Sequence, residues 1–582
     1  MKNFNRFLLT LGVLTLTSCD KLFDRDPLDK ISSGVVWADI NLIDANLAQL
    51  YAETPFFYNE TSNLVNEMAY LGAEAYLVNA RNAWIQGTLD QTGGHLEFWA
   101  FNQIRNLNTF IENVSKAPID AKIKDIKIAE ARFLRAFDYF EMVKRYGGVP
   151  IITQAQSLNT PIEELQVSRN SEQEVYDFIA KECDEIAIIL PEVASEYGRI
   201  TKYTALALNS RAMLYAGSVA TYGKQQLDGL LGFATSERTK YWQKSYDASK
   251  AIMDAKKFAL FNKYPDNKSK NYQYIWLDER NGETIFSKVF NGIGAVGHSF
   301  DWYSYPSGFE KGWGADTQAY LETFQAYQKI DGTAGDWDFS AIQTGLHTLD
   351  DLFSNRDPRM YASLLHQEAP FKNGKVYSHN GTYLQGTTGP LTISNTIVGP
   401  YNGANWYARA TSWSKNYVAG TGFPLKKFID ETKDQPQAGE STTDYIVYRY
   451  GEVLLNFAEA AFELGKTTEA LDHINLIRKR AGMPELTSIT REQIRDERQV
   501  ELMFEGHRFW DLRRWRIATT ELSKEMHKIK LNFDWQSKKY QVFVEKQDPV
   551  IRSFTEKQYY LPITVNRIAN NPKLAPENPG YE

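Results

Sequence analysis

Glu497-Arg498-Gln499-Val500-Glu501-Leu502-Met503-Phe504-Glu505-Gly506-His507-Arg508, continued by Asp511, Arg513, Arg514 and Trp515, is the stretch on which the reading of this chain turns. Apolar residues recur there at three and four spacing, so residues 491–515 are expected to form one helix, opened by Thr490 with Gln493 as a capping box. Glu497, Glu501 and Glu505 then fall four apart on one helical face. Paired carboxylates are what a glycosidase needs, yet three like charges on one face repel one another unless cations meet them. Arg498, Arg508, Arg513 and Arg514 stand close enough in sequence to do so, which favours a charge-locked helix pair over an acid–base site.

Helical periodicity extends on both sides of this block. It covers residues 446–464 and 468–481 before it, and residues 37–51, 98–114, 119–145, 172–190, 201–222 and 241–257 in the amino-terminal half. Ser171 with Glu174 forms a capping box, Pro191 ends that helix, and Gly147-Gly148 before Pro150 ends the long one. Ala205, Ala207, Ala212 and Ala216 let neighbouring helices approach closely, as in tetratricopeptide pairs. Between 261 and 445 the composition shifts to Gly, Asn, Tyr and Trp, with short extended stretches such as 283–289; six of the 13 Trp lie here, at 276, 302, 313, 337, 406 and 413. The expected fold is therefore mostly α: a tetratricopeptide-like scaffold at 34–260, a long, loop-rich, aromatic insertion at 261–445 with minor β, and a helical and loop region at 446–582 that completes the scaffold.

The first residues resemble an export signal. Lys2 and Arg6 precede the apolar run 7–17, which is too short to span a bilayer, and Leu16-Thr17-Ser18-Cys19 resembles a bacterial lipobox. Residues 1–18 are accordingly expected to be a lipoprotein signal peptide, Cys19 the lipidated residue and 19–33 a polar tether; acyl chains on Cys19 would anchor the body to a membrane surface. Cys183 is then left alone, in a helical pattern that favours packing over nucleophilic chemistry. A formal net charge of -7 argues against nucleic-acid binding. The eight His show no zinc spacing, Gly465-Lys466-Thr467 lacks the glycine a phosphate loop needs at Ala460, and no Gly-x-Ser-x-Gly elbow occurs, so neither a metal nor another cofactor nor a catalytic residue is expected. Residues 331–338 hold three Asp and two Gly but lack a calcium-loop pattern.

The block from Glu497 to Trp515 resembles the signature of the SusD/RagB family of nutrient-binding outer-membrane lipoproteins. Three further blocks agree: Ala129-Glu130-Ala131-Arg132-Phe133-Leu134-Arg135-Ala136 continuing to Gly147-Gly148-Val149-Pro150, Arg449-Tyr450-Gly451-Glu452 with Ala458-Glu459-Ala460, and Asn578-Pro579-Gly580-Tyr581. Gly451 stands where the family usually has alanine, a departure expected to be harmless. The resemblance implies attachment to the outer leaflet of the outer membrane and capture of an oligosaccharide, or in some relatives a peptide, with no bond broken. It also implies a partner, a TonB-dependent transporter of the SusC type on which the lipoprotein sits as a lid.

Capture of a sugar demands aromatic faces for the C–H side of the ring and polar groups for its hydroxyls. Glu74, Asn79, Arg81, Asn82 and Trp84 form one stretch with both, and Tyr76 lies within it; Asp301, Trp302, Tyr303, Tyr305 and Trp313 form the other, set among glycines that favour a loop. Trp406, Tyr407 and Trp413 stand in reserve, whereas Trp99 is read as core. The alternatives are a surface glycosidase, pairing Asp301 with Glu310 or Glu74, and an interaction scaffold whose aromatics are buried against the transporter.

Overall fold

A computed structural model describes residues 36–56, 64–77, 82–157, 159–290, 297–310, 312–410 and 420–582. Residues 1–18, Cys19 and the tether 19–33 lie outside the described residues. The principal elements in chain order are α1 (Ile40–Glu53), α2 (Leu64–Leu71), β1 (Ala75–Leu77), α3 (Phe101–Lys116), α4 (Ala121–Tyr146), α5 (Glu172–Ile189), α6 (Lys202–Tyr222), α7 (Arg238–Asp254), β2 (Thr284–Lys288) and α8 (Phe300–Ser304). They continue with β3 (Thr317–Ala319), α9 (Leu321–Gln325), β4 (Gly381–Tyr383), β5 (Tyr445–Arg449), α10 (Tyr450–Glu463), α11 (Thr467–Ala481), α12 (Arg491–Glu501), α13 (Arg508–Arg514), β6 (His527–Asp534) and β7 (Lys539–Lys546).

Each long helix from α3 to α7 packs against the next, α7 packs on α10, and α10 on α11, so the helical stack resumes across the insertion. The capping box at Ser171 opens α5 as its sequence predicts, with the Ser171 hydroxyl accepting from the Glu174 amide and the Glu174 carboxylate accepting from the Ser171 amide. Long helix α4 stops at Gly147, where φ is +70° and a β-carbon would stand 2.3 Å from a Leu231 methyl. Small residues do let α6 sit deep in the stack: Ala205, Ala207, Ala212 and Ala216 are buried, and Ser210 exchanges a 2.7 Å hydrogen bond with Ser249 of α7. Cys183 is buried in α5, and burial pushes its thiol well up, as suits a packing residue.

Two expected helices are corrected. Residues 446–449 do not begin a helix: they belong to β5, which pairs antiparallel with β2, and α10 starts only at Tyr450. Buried β-branched and aromatic residues, Val447 and Tyr448 among them, fit that pairing. The expected single helix at 491–515 is two, α12 and α13, broken where Phe504 and Gly506 take left-handed φ of 65° and 78°. In the carboxyl-terminal region, read as helices and loops, β6 and β7 form an antiparallel hairpin, and β6 also runs parallel to β4 of the insertion.

Charge locking exists, but its partners are not the neighbouring arginines. Arg359 donates to Glu497 at 2.6 Å and Glu501 at 3.0 Å, Arg478 to Glu497 at 2.9 Å, and Arg449 to Glu501 and Glu505 at 2.7 Å each. Arg480 pairs with Glu501, and Lys427 with Glu505 at 2.9 Å. These cations come from the insertion, β5 and α11, so the network ties three chain regions together. Arg498 and Arg514 instead share Asp511 at 2.8 Å each, Arg514 also reaches Glu459 at 2.5 Å, and Arg513 donates to the Tyr559 carbonyl. Gly451 has a consequence here that sequence does not suggest: a β-carbon on it would lie 2.2 Å from the Arg449 guanidinium and 2.8 Å from a Glu283 oxygen.

The chain's last residues close on its first half. Arg169 donates to the Pro576 carbonyl at 2.9 Å and to the Asn578 side chain at 2.8 Å, while Asn578 donates to the Tyr146 and Leu561 carbonyls. No helix among the described residues is long and apolar enough to cross a membrane.

Candidate functional site

A three-residue ladder brings the neighbourhoods of the two candidate stretches together: β1 pairs antiparallel with β3, setting Tyr76 opposite Gln318 and Leu77 opposite Thr317. Helix α8, just before β3, turns Asp301 and Ser304 inward and leaves Trp302 and Tyr303 half-buried. The chain then reverses through Pro306 and Gly312 and returns antiparallel, the Ala315 amide donating to the Tyr305 carbonyl at 2.8 Å and the Asp316 amide to the Tyr303 carbonyl at 3.0 Å. Gly314 makes that return possible, since a β-carbon there would stand 2.6 Å from the Tyr305 carbonyl oxygen. The reversal lays half-buried Trp313 against Trp302, with ring centroids 5.7 Å apart and planes at 30°. Tyr303 meets Trp302 edge-on at 4.7 Å and Trp313 at 6.3 Å.

The result is a three-ring aromatic cluster with surface to spare, flanked by a carboxylate. Burial is the main cause that raises the phenols of Tyr303 and Tyr76; buried Asp316 adds to it at Tyr303 and, after Asp548, at Tyr76. Such rings can stack on the apolar face of a sugar. Sequence reasoning did not single out Asp316; its place after the Gly-rich turn and directly before a strand is the signal that could have found it.

Three of the expected site residues face the interior and are corrected. Tyr305 is wholly buried, packs edge-on against Phe371 at 5.4 Å, and its hydroxyl lies 2.7 and 2.8 Å from the carbonyls of Asp430 and Lys433. Asp301 is buried, accepts from the Asp430 amide at 3.0 Å, and its own amide donates to the Ser441 hydroxyl oxygen at 3.0 Å; burial pushes its carboxyl up to about 6. Both residues hold the loop at 430–441 in place. Glu74 is 1% exposed, accepts from the Phe504 amide, and is pushed up to about 8 by burial, which outweighs Arg508 and Lys427. A neutral carboxyl there satisfies the turn after α12.

Trp84 is half-buried and stacks on His95 at 4.7 Å, while Asn82 opens the short turn Asn82–Trp84 that carries it. Asn79, Arg81 and Trp413 lie outside the described residues. Trp406 is core: it is 2% exposed, stacks on His379 at 4.3 Å and donates to Thr382 at 3.0 Å. Trp99, read as core in a helix from 98, lies just before that helix, which starts at Phe101; it is half-buried and packs against Phe101 and Tyr146. Asp331 accepts from Thr333, and Asp338 caps the turn that follows it, so both aspartates serve local backbone.

Residues 282–581 match the SusD family, and residues 32–214 match a family described as starch-binding and associating with the outer membrane. The chain is similar to SusD-like protein P2 of Formosa agariphila, 23% identical over 508 residues that cover 84% of this chain and 82% of the relative. Its fold is similar to that of a SusD-like protein of Bacteroides fragilis, at a TM-score of 0.75 and 23% identity over 96% of this chain and 100% of the other. A SusD-like carbohydrate binding protein of the same organism superposes at a TM-score of 0.70 with 22% identity, covering 93% of this chain and 100% of the other. With more than half of its residues inside the first match and the helical stack of the solved relatives, this chain belongs to the SusD family.

Proposed function

We propose that this chain captures oligosaccharides at the outer-membrane surface, held there through lipid on Cys19, and passes them to a SusC-type TonB-dependent transporter without breaking a bond. The observation that carries the reading is the half-buried cluster of Trp302, Tyr303 and Trp313 beside Asp316. Stacking on such rings contributes about 1 kcal/mol or more per contact beyond area burial, enough to hold a chain of sugars when two or three rings act together. Support for the ligand class comes from the similar carbohydrate binding protein of Bacteroides fragilis, and support for the membrane from the lipobox and the outer-membrane family match.

A non-catalytic role agrees with the fate of the carboxylates that sequence offers as an acid–base pair. Asp301, Glu74 and Glu310 are all buried, and each accepts a hydrogen bond from a backbone amide. A glycosidase needs two carboxyls facing one cleft.

The test is direct binding of the purified protein to a panel of plant, host and microbial glycans, with product analysis of each hit. A saturable hit without turnover is expected, weakened about tenfold or more in Trp302→Ala and Trp313→Ala. Released product, or binding untouched by both changes, would sink the reading.

A further inference from the structure

A cavity of about 370 Å3 opens between α12, α9, the Gly72-Ala73 turn and the start of α13. It is unlike the aromatic site. No aromatic side chain lines it, so it offers no ring for a sugar face to stack on. Carboxamides take their place: Gln325 and Gln499 form no side-chain hydrogen bond among the described residues, and Gln493 spends only its oxygen, on the Thr490 amide. The volume is that of a small-molecule site.

Most charges on its wall are matched. Arg359 pairs with Asp357, Glu497 and Glu501; Arg478 pairs with Glu497; Glu322 accepts from His527. Two carboxylates, Asp336 and Asp496, have no ion pair or hydrogen bond among the described residues, and Arg508 is only loosely met. Arg508 donates no hydrogen bond among the described residues, and its nearest carboxylate, Glu521 at 4.0 Å, already accepts from Lys524 with both oxygens at 2.7 Å. Asp496, exposed on the face of α12 that carries Gln493 and Gln499 into the cavity, has no ion pair and no hydrogen bond among the described residues. Arg508 and Asp496 are near enough to feel each other: partial loss of hydration against the cavity wall raises the Asp496 carboxyl although its side chain still reaches solvent, and Arg508 is the first group to pull it back. They do not touch.

A guanidinium that spends no hydrogen bond and an unmatched carboxylate facing one polar cavity, held apart, complement a ligand that carries both charges a short distance from each other. The guanidinium fork suits a carboxylate and the acidic group an ammonium. We propose that this cavity binds a free α-amino acid as its zwitterion, with its carboxylate on Arg508, its ammonium on Asp496 and the glutamines closing on whatever polar side chain it bears.

Calorimetric titration of the full chain with glycine, alanine, glutamine, glutamate and lysine tests this, with each N-acetylated or amidated at the carboxylate as its control. Saturable binding is expected for the free amino acids and a loss of about tenfold or more for either blocked form. Arg508→Met, which keeps the stem, and Asp496→Asn, at an exposed position, are each expected to weaken binding by a similar factor. Asp496→Asn keeps the test valid should Arg508→Met fail to fold. No heat at about 10 mM free amino acid, or binding that survives both blocking groups or Asp496→Asn, would overturn the proposal.

Discussion

Gly451 shows how far one methyl group can matter. At the second position of a helix an alanine is ordinarily the better residue, by up to about 1 kcal/mol. In this chain the room for that methyl is taken by the Arg449 guanidinium, itself fixed by Glu283, Glu501 and Glu505. Gly451→Ala is therefore expected to cost about 1–3 kcal/mol in spite of its better propensity, read as a lower urea midpoint at unchanged slope. At this scale the aromatic site was half legible. Trp302, Tyr303 and Trp313 could be picked out because Trp and Tyr among glycines mark an aromatic loop. Tyr305 could not be told from Tyr303, because what buries it is the carbonyl pair of Asp430 and Lys433, more than a hundred residues away.

Among the elements, the break between α12 and α13 carries the argument. A continuous helix would have kept Glu497, Glu501 and Glu505 on one face, where they repel. The left-handed turn at Phe504 and Gly506 swings Glu505 around so that Arg449 is gripped by Glu501 and Glu505 from separate backbone segments. Removing that cation leaves Glu283, Glu501 and Glu505 short of a partner in the interior. Arg449→Met is expected to cost about 3–5 kcal/mol, as when one side of a buried ion pair is deleted, whereas replacing surface Lys250, paired only with Asp254 on its own helix, should cost less than about 1 kcal/mol. Parallel denaturant titrations check both. Helices with strong caps, such as α5, were legible to within a residue or two. The turn at Phe504 was not, because its left-handed φ is imposed by tertiary packing on a residue that sequence gives no reason to place there. The β6–β7 hairpin was legible in principle, since Ile529, Leu531 and Phe533 alternate with Lys528, Lys530 and Asn532 and lie buried against Tyr540 and Val542.

For the molecule as a whole, buried carboxyls of opposite tendency shape the response to pH. Burial alone would raise Glu501, but Arg480, Arg449 and Arg359 hold it well below its ordinary 4.5, so its contribution is present above that value and is lost as acid is added. Glu74 behaves in the reverse sense: raised from 4.5 to about 8, it contributes fully below 4.5 and its contribution fades as pH climbs through 8. Stability measured by urea unfolding is expected to fall steeply below pH 4.5 and to decline again toward pH 8. Glu74→Gln should flatten the alkaline limb, by on the order of 1–3 kcal/mol at pH 9, and leave the acid limb in place.

The clasp between Arg169 and Asn578 spans 409 positions of chain. The amino-terminal helices are made first, and the guanidinium beside them already has the Gly148 carbonyl at 2.8 Å, but the Pro576 carbonyl and the Asn578 side chain reach it only from the carboxyl-terminal residues. Without residues 576–578 this guanidinium keeps the Gly148 and Tyr146 carbonyls but loses two acceptors, which is expected to cost about 1–3 kcal/mol, read as a lower urea midpoint. The clasp thus makes the last contacts of this guanidinium wait on residues far later in the chain.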